Sequence, residues 1–131
     1  MKIKAIIEKS SEGGVSVYCK EIHGAFGFGL SEDEAKDDFL EVLEEQEEYY
    51  VEKNGVLPEW HECEVEYIYD LSGFFEVYPF INASEFAKQL GINPSLMRKY
   101  KNKLAFASRK QKDNIQKKYN DLIIRMARVQ F

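Results

Sequence analysis

Only two cysteines, three prolines and one tryptophan occur among the 131 residues. Two thiols in a chain of this length do not make a disulfide framework, and a reducing cytoplasm is the compartment that fits. No run of about 18 apolar residues is present, so no membrane span is expected. The opening MKIKAIIEKSSEGG has neither the apolar core nor the cleavage site of a signal peptide. Acidic residues are scarce in one part only. Residues 80–131 hold 3 acidic side chains against 12 basic ones, a net of +9.

The remainder is the opposite. Residues 1–79 hold 20 acidic and 6 basic side chains, a net of −14, and the overall −5 hides this division. Such a split points to two parts with different partners. With 44% hydrophobic and 14% aromatic residues, there is enough apolar material for a folded core.

The acidic part reads first as strands. Ile3, Ala5 and Ile7 alternate within Lys2 to Lys9, and Val15, Val17 and Cys19 alternate after a turn at Gly13-Gly14. GAFGFG, punctuated by Gly24, Gly27 and Gly29, is a third short strand where backbones can approach closely. Ser31 with Glu34 then has the form of a helix capping box, and Ala35, Phe39, Val42, Leu43 and Tyr50 form one apolar stripe up to a stop at Asn54-Gly55. HECEVEYIYD follows as a fourth strand, with Cys63, Val65, Tyr67 and Tyr69 on one face. The expected class is α+β. A β-β-β-α-β domain over 1–70 precedes an all-α domain over 71–131.

In the basic part, short helices begin at LSGFFEVYPF and then at the capping residues Asn82, Asn93 and Ser108. Pro94 stands at a first helical position, where its missing N–H is harmless. Phe86, Ala87, Leu90, Gly91, Ile92, Met97 and Tyr100 have helix-turn-helix spacing. Ala87 is small for close packing, Gly91 suits the turn, and the rest fill a small core. The opposite face of 93–103 carries Ser95, Arg98, Lys99 and Asn102, groups that suit base edges in a major groove. Lys101, Lys103, Arg109, Lys110 and Lys112 add charge for phosphates. An ordinary helical bundle with a solvated basic face would share the charge but not the full apolar set. Ile115, Tyr119, Leu122, Met126 and Val129 have heptad-like spacing in the last helix, for packing on that core or for a dimer contact.

Catalysis is not expected. Glu8, Glu21, Glu64 and Glu66 are acids on or beside strands, but alternation turns most of them to the solvated face, and no catalytic set is visible. Cys19, Cys63, His23 and His61 lack zinc spacing, and both thiols are expected as small buried groups on apolar strand faces. Trp60 beside Pro58 is expected to pack. No metal and no cofactor is called for. Between Glu32 and Glu48 ten acids face a single Lys36, more than solvation requires, so a basic protein partner is expected there.

The stretches IIEKSSEGGVSVYCKEIHGAFGFG and LSEDEA resemble the HicB-type antitoxins. Gly14, Tyr18, Gly24, Ser31, Glu34 and Ala35 stand at places comparable to that family's pattern. DLSGFFEVYPFINASEFAKQLGINPSLMRKYKNK resembles the helix-turn-helix of a HicB-like branch. The resemblance implies a partial RNase H-like fold without nuclease activity in the first domain. That domain would bind and inhibit a HicA-type toxin, a small basic mRNA-cleaving ribonuclease. The second would bind double-stranded operator DNA of its own operon as a repressor, as a homodimer or higher homo-oligomer. Asn82, Ser84, Asn93, Ser95, Arg98 and Lys99 match positions that contact DNA in related domains; Asn102 joins them from the outward face of 93–103, and Lys101 and Lys103 from the charge pattern. For the toxin, charge alone singles out Glu32, Asp33, Asp37, Asp38, Glu41, Glu44, Glu45 and Glu48. The competing expectation is a stand-alone helix-turn-helix regulator whose first domain senses a small molecule. A third class, a metal-dependent RNase H-like nuclease, would need its carboxylates.

Overall fold

The computed structural model describes all 131 residues. It is an α+β fold that divides into two compact units, Met1–Ile68 and Tyr69–Phe131. The elements run β1 (Lys2–Lys9), β2 (Val15–Tyr18), β3 (Phe26–Gly29), α1 (Glu32–Asn54), β4 (Glu64–Asp70), α2 (Ser72–Val77), α3 (Ala83–Leu90), α4 (Pro94–Lys101) and α5 (Arg109–Ala127). Tyr69 and Asp70, the end of β4, count with the second unit. No helix is long and apolar enough to cross a membrane.

The four strands form a mixed sheet in the order β3-β2-β1-β4. β1 and β2 pair antiparallel with Ile7 opposite Val17, and β2 and β3 pair antiparallel with Val17 opposite Gly27. The connection between β1 and β2 closes where Ser10 N–H donates to Gly14 O, with Gly13 at φ 98°. Glu64 N–H donates to Met1 O and Lys2 pairs with Glu66, so β4 starts beside the start of β1 and runs parallel to it. β1 and β4 are joined through α1, the crossover that parallel neighbours need.

α1 lies on one face of the sheet. Ala35, Phe39 and Leu43, spaced four apart, are buried with Ile3, Ala5, Ile7, Val15 and Val17. Complete burial of a Phe such as Phe39 stabilises by about 2–3 kcal/mol. The helix approaches β3 backbone to backbone: a Cβ on Gly27 would fall 2.5 Å from Phe39 N, and one on Gly29 would fall 2.6 Å from Ala35 N. Phe26 and Phe28, the alternate residues of β3, are 52% exposed on the opposite face. Ser31 Oγ accepts from Glu34 N–H to start α1, and Gly55 at φ 70° ends it.

Two expectations for this unit are corrected. β4 begins at Glu64, so Cys63 lies in the turn before it, where its N–H donates to Trp60 O. Cys19 likewise follows the end of β2, buried beside Ile22. Neither thiol is on a strand, because the chain leaves the sheet one residue away in each case. Trp60 packs edge-on against Tyr50 at 5.2 Å between ring centroids.

In the second unit, Ala87, Leu90, Ile92, Met97 and Tyr100 are buried between α3 and α4. Phe86 is not part of that small core. It is half-buried and stacked on Phe74 at 5.1 Å, with Phe75 and Tyr119 edge-on around it. After α4 the chain returns to Tyr69, which exchanges two backbone hydrogen bonds with Ala107 at 2.8 and 2.9 Å. Asp70 is buried there. Its Oδ1 accepts from Ser72 N–H at 2.9 Å, and Lys103 Nζ stands 3.6 Å from Oδ2, an ion pair too long to be a hydrogen bond. α5 has no fully buried residue, and Val129 lies beyond its end.

Candidate functional site

The connection from α3 to α4 is a tight turn built on Gly91. Gly91 has φ 67°, a region that costs other residues strain, and Ile92 N–H donates back to Ala87 O at 2.9 Å. Asn82 Oδ1 caps α3 by accepting from Glu85 N–H, and Asn93 Oδ1 caps α4 by accepting from Leu96 N–H. Both asparagines therefore use one acceptor site of their oxygen for the fold, and their Nδ2 donors are left for a ligand.

Met97 and Tyr100 point α4 inward, and this turns Ser95, Arg98, Lys99 and Asn102 outward as one exposed row at i, i+3, i+4 and i+7. Arg98 Nη1 donates to Ser84 Oγ on α3 at 2.7 Å, so the first turn of α3 and the middle of α4 share one polar edge. Lys101 is exposed at the end of α4. Lys103 departs from the expected set: at φ 58°, its ammonium is directed to the buried Asp70 carboxylate. Lys112 is likewise drawn in, 4.8 Å above the Tyr69 ring and 2.9 Å from Asp113. No protein-family model, curated protein or solved structure matches this chain.

The acidic surface of α1 separates into two groups. Glu32 is half-buried between Lys36 Nζ at 3.0 Å and Lys9 Nζ at 4.0 Å. Asp38 Oδ2 accepts from Phe28 N–H at 2.8 Å, and Glu34 Oε2 accepts from Leu30 N–H at 3.0 Å. Those two N–H groups lie on the outer edge of β3 and one residue beyond its end, so the carboxylates satisfy an edge strand that would otherwise invite pairing. Asp33, Asp37, Glu41, Glu44, Glu45 and Glu48 stand in solvent, free of ion pairs. At spacings of three and four residues, the last four repel one another.

No three or more His, Cys, Asp or Glu side chains gather as a metal site would require. His61 instead stands with Nδ1 2.8 Å from Glu47 Oε1. Burial pushes the Cys19 and Cys63 thiols up, which keeps both protonated and disfavours a thiolate ligand or nucleophile. The bond of Asp38 to Phe28, the pairing of Asp70 with Lys103 and the bond of Ser84 to Arg98 are long-range or cross-helix, and no local sequence pattern announces them. The capping roles of Asn82 and Asn93 were legible from their position before each helix.

Proposed function

We propose that this chain is a two-part antitoxin and repressor: the second unit holds operator DNA through a helix-turn-helix made of α3 and α4, and the first occludes a small basic HicA-type ribonuclease. The observation that carries the reading is the exposed row Ser95, Arg98, Lys99 and Asn102 above the locked Met97 and Tyr100. An α-helix fits the major groove, and this row offers Arg98 to guanine O6 and N7 and Asn102 to adenine. Lys99 and Lys101 lie at its end for phosphates, and the net +9 over residues 80–131 supplies attraction for any duplex. Ser84 and Asn82 extend the same edge onto α3.

For the first unit, two features support the antitoxin reading. The sheet order β3-β2-β1-β4, with a parallel fourth strand and a helix on one face, is what a partial RNase H-like fold would have. The unpaired carboxylates Asp33, Asp37, Glu41, Glu44, Glu45 and Glu48 suit a cationic protein, which would relieve their repulsion. Asp38 and Glu32 serve the fold first, so they contribute field rather than direct contacts. Inhibition is then steric and electrostatic: a folded anionic surface covers the face with which the ribonuclease holds RNA.

Two experiments test the two halves separately. In a gel shift, DNA from directly upstream of the chain's own gene is retained and a shuffled duplex of equal length is released as salt rises. Equal retention of both would remove the operator assignment. In co-purification, the small basic product of an adjacent reading frame stays with the chain and loses its RNA cleavage. Failure to form that complex at micromolar concentration would leave the antitoxin reading without support.

A further inference from the structure

β3 carries an apolar stripe that the fold leaves in water. Phe26 and Phe28 project from the sheet face away from α1, each about half exposed, and Leu30, the next alternate residue, is 77% exposed. Large apolar side chains at three alternate positions of an edge strand form a patch rather than a scatter of single residues. Phe28 is held in place: a Cβ on Gly14 would fall 2.7 Å from its ring, so the ring lies on the bare backbone of the β1–β2 turn. Tyr18 stands opposite Phe26 and Ser16 opposite Phe28, so the patch runs inward onto β2. A strand added to this edge, from a second copy or another chain, would meet no open N–H at Phe28 or Leu30, because Asp38 and Glu34 already hold both. Carboxylates border the stripe on both sides. Asp38 and Glu34 stand at its outer edge, and Glu8 lies on β1 across Ser16 from Phe28. Residues 1–79 carry a net of −14, which repels nucleic acid and anionic lipid alike. An exposed ring in a negative field suits a cation with a flat apolar face, and the arginine guanidinium is such a group.

We propose that Phe26, Phe28 and Leu30 are the centre of the interface with a basic protein, taking its arginine side chains, while the free acids of α1 steer that protein without holding it. The partner is the small basic ribonuclease of the antitoxin reading, on which this assignment rests. Binding energy concentrates on a few well-packed side chains, aromatic ones above all, whereas charges at the rim act mainly on the association rate. Phe28 meets the first condition, because its ring is backed by Gly14 and loses little freedom when covered. Glu41, Glu44, Glu45 and Glu48 meet the second. They stand in solvent, where an ion pair is worth little and salt screens it. Asp38 and Glu34, already bonded to the strand, add to the field in which the stripe sits.

Association and dissociation rates of the full chain with the small basic product of the adjacent reading frame, followed from about 0.1 to about 1 M salt, read the two roles apart. Phe28→Ser and Leu30→Ser should each speed dissociation by about tenfold or more at every salt concentration, with association nearly unchanged. Leu30→Ser changes a side chain that is mostly in water, so it keeps the test sound if Phe28→Ser loosens the β1–β2 turn. Glu41→Gln combined with Glu45→Gln should slow association at low salt and match the wild type at high salt. Leu40→Ser, at an exposed leucine of α1 one turn beyond Lys36, should change neither rate. A wild-type complex whose dissociation neither Phe28→Ser nor Leu30→Ser hastens would overturn the stripe and leave the antitoxin reading standing. No wild-type complex at micromolar concentration would remove that reading, and the partner of the stripe with it.

Discussion

Arg98 Nη1 donates to Ser84 Oγ across 2.7 Å, tying the middle of α4 to the first turn of α3. The bond uses one of the five donors of the guanidinium and holds its plane at the exposed edge. A side chain held in place loses less entropy when it meets a base, so in the proposed complex Ser84 would act by positioning Arg98. Arg98→Ala is expected to cost about 1–3 kcal/mol of operator affinity and to relax preference at one base pair. Ser84→Ala should cost less and leave that preference in place. Titration of a set of single-base operator variants reads both effects. If Arg98→Ala binds every duplex as the wild type does, α4 is not the reading helix.

Lys101 and Lys103 lie two residues apart and are expected to behave oppositely. Lys101 is free and exposed, so Lys101→Ala should weaken all duplexes alike and flatten the slope of log affinity against log salt by about 0.9. Lys103 faces the buried Asp70 carboxylate, so Lys103→Ala should lower stability instead, by about 1–2 kcal/mol after allowing for its partial exposure. Its salt slope should stay near the wild-type value. Thermal melts and salt titrations on the two variants separate these outcomes, and a reversed pattern would return Lys103 to the phosphate contacts.

The elements themselves were legible because local patterns specify them. Alternation at Ile3, Ala5 and Ile7, and the caps Ser31, Asn82, Asn93 and Ser108, each answer to a spacing of two to four residues, and each capping oxygen accepts from the N–H three residues on. Contacts set by the tertiary fold were not legible. Asp38 reads as one acid among ten until β3 is seen to lie beneath it. Phe86 has the spacing of a core residue, but it stays half-buried, stacked on Phe74 at 5.1 Å between ring centroids. Lys103 reads as a free cation because nothing near it in sequence reveals Asp70. The exposed row on α4 was legible for the converse reason: residues at i, i+3 and i+4 share a face whatever surrounds the helix.

The contact between β3 and α1 leaves no room for a side chain. Gly27→Ala would place a methyl group 2.5 Å from Phe39 N, against backbone that cannot swing aside. An overpacking cost of about 1–3 kcal/mol or more is expected, as a fall in the urea midpoint. Asp38→Ala should cost about 1–2 kcal/mol by a different route, since it strips the carboxylate from Phe28 N–H and reopens the β3 edge. Asp38→Asn keeps an acceptor and should recover part of that loss. If Gly27→Ala and Asp38→Ala both unfold at the wild-type urea concentration, the helix does not rest on β3 as described.

Stability should decline at alkaline pH. Burial pushes the Tyr100 hydroxyl above the usual tyrosine value, although a hydrogen bond from Gln111 opposes the shift. Burial raises Tyr67 as well, with the Asp37 charge adding to it, and it raises the Cys19 and Cys63 thiols. For each group the folded state holds the proton more tightly than the unfolded chain does. Its stabilising share is therefore complete below the unfolded pKa and is lost as pH climbs through the folded one. The thiols open the decline from about pH 8.5 and the tyrosines steepen it from about pH 10, each group contributing at most about 1.4 kcal/mol per pH unit. Tyr100→Phe removes one tyrosine's share, so its loss of stability above pH 10 should be shallower than the wild type's, whatever its stability at neutral pH. Urea midpoints between pH 7 and about pH 11 measure this. A wild-type midpoint that stays level across that range would mean that Tyr100 ionises as freely in the folded chain as in the unfolded one, contrary to its burial between α3 and α4.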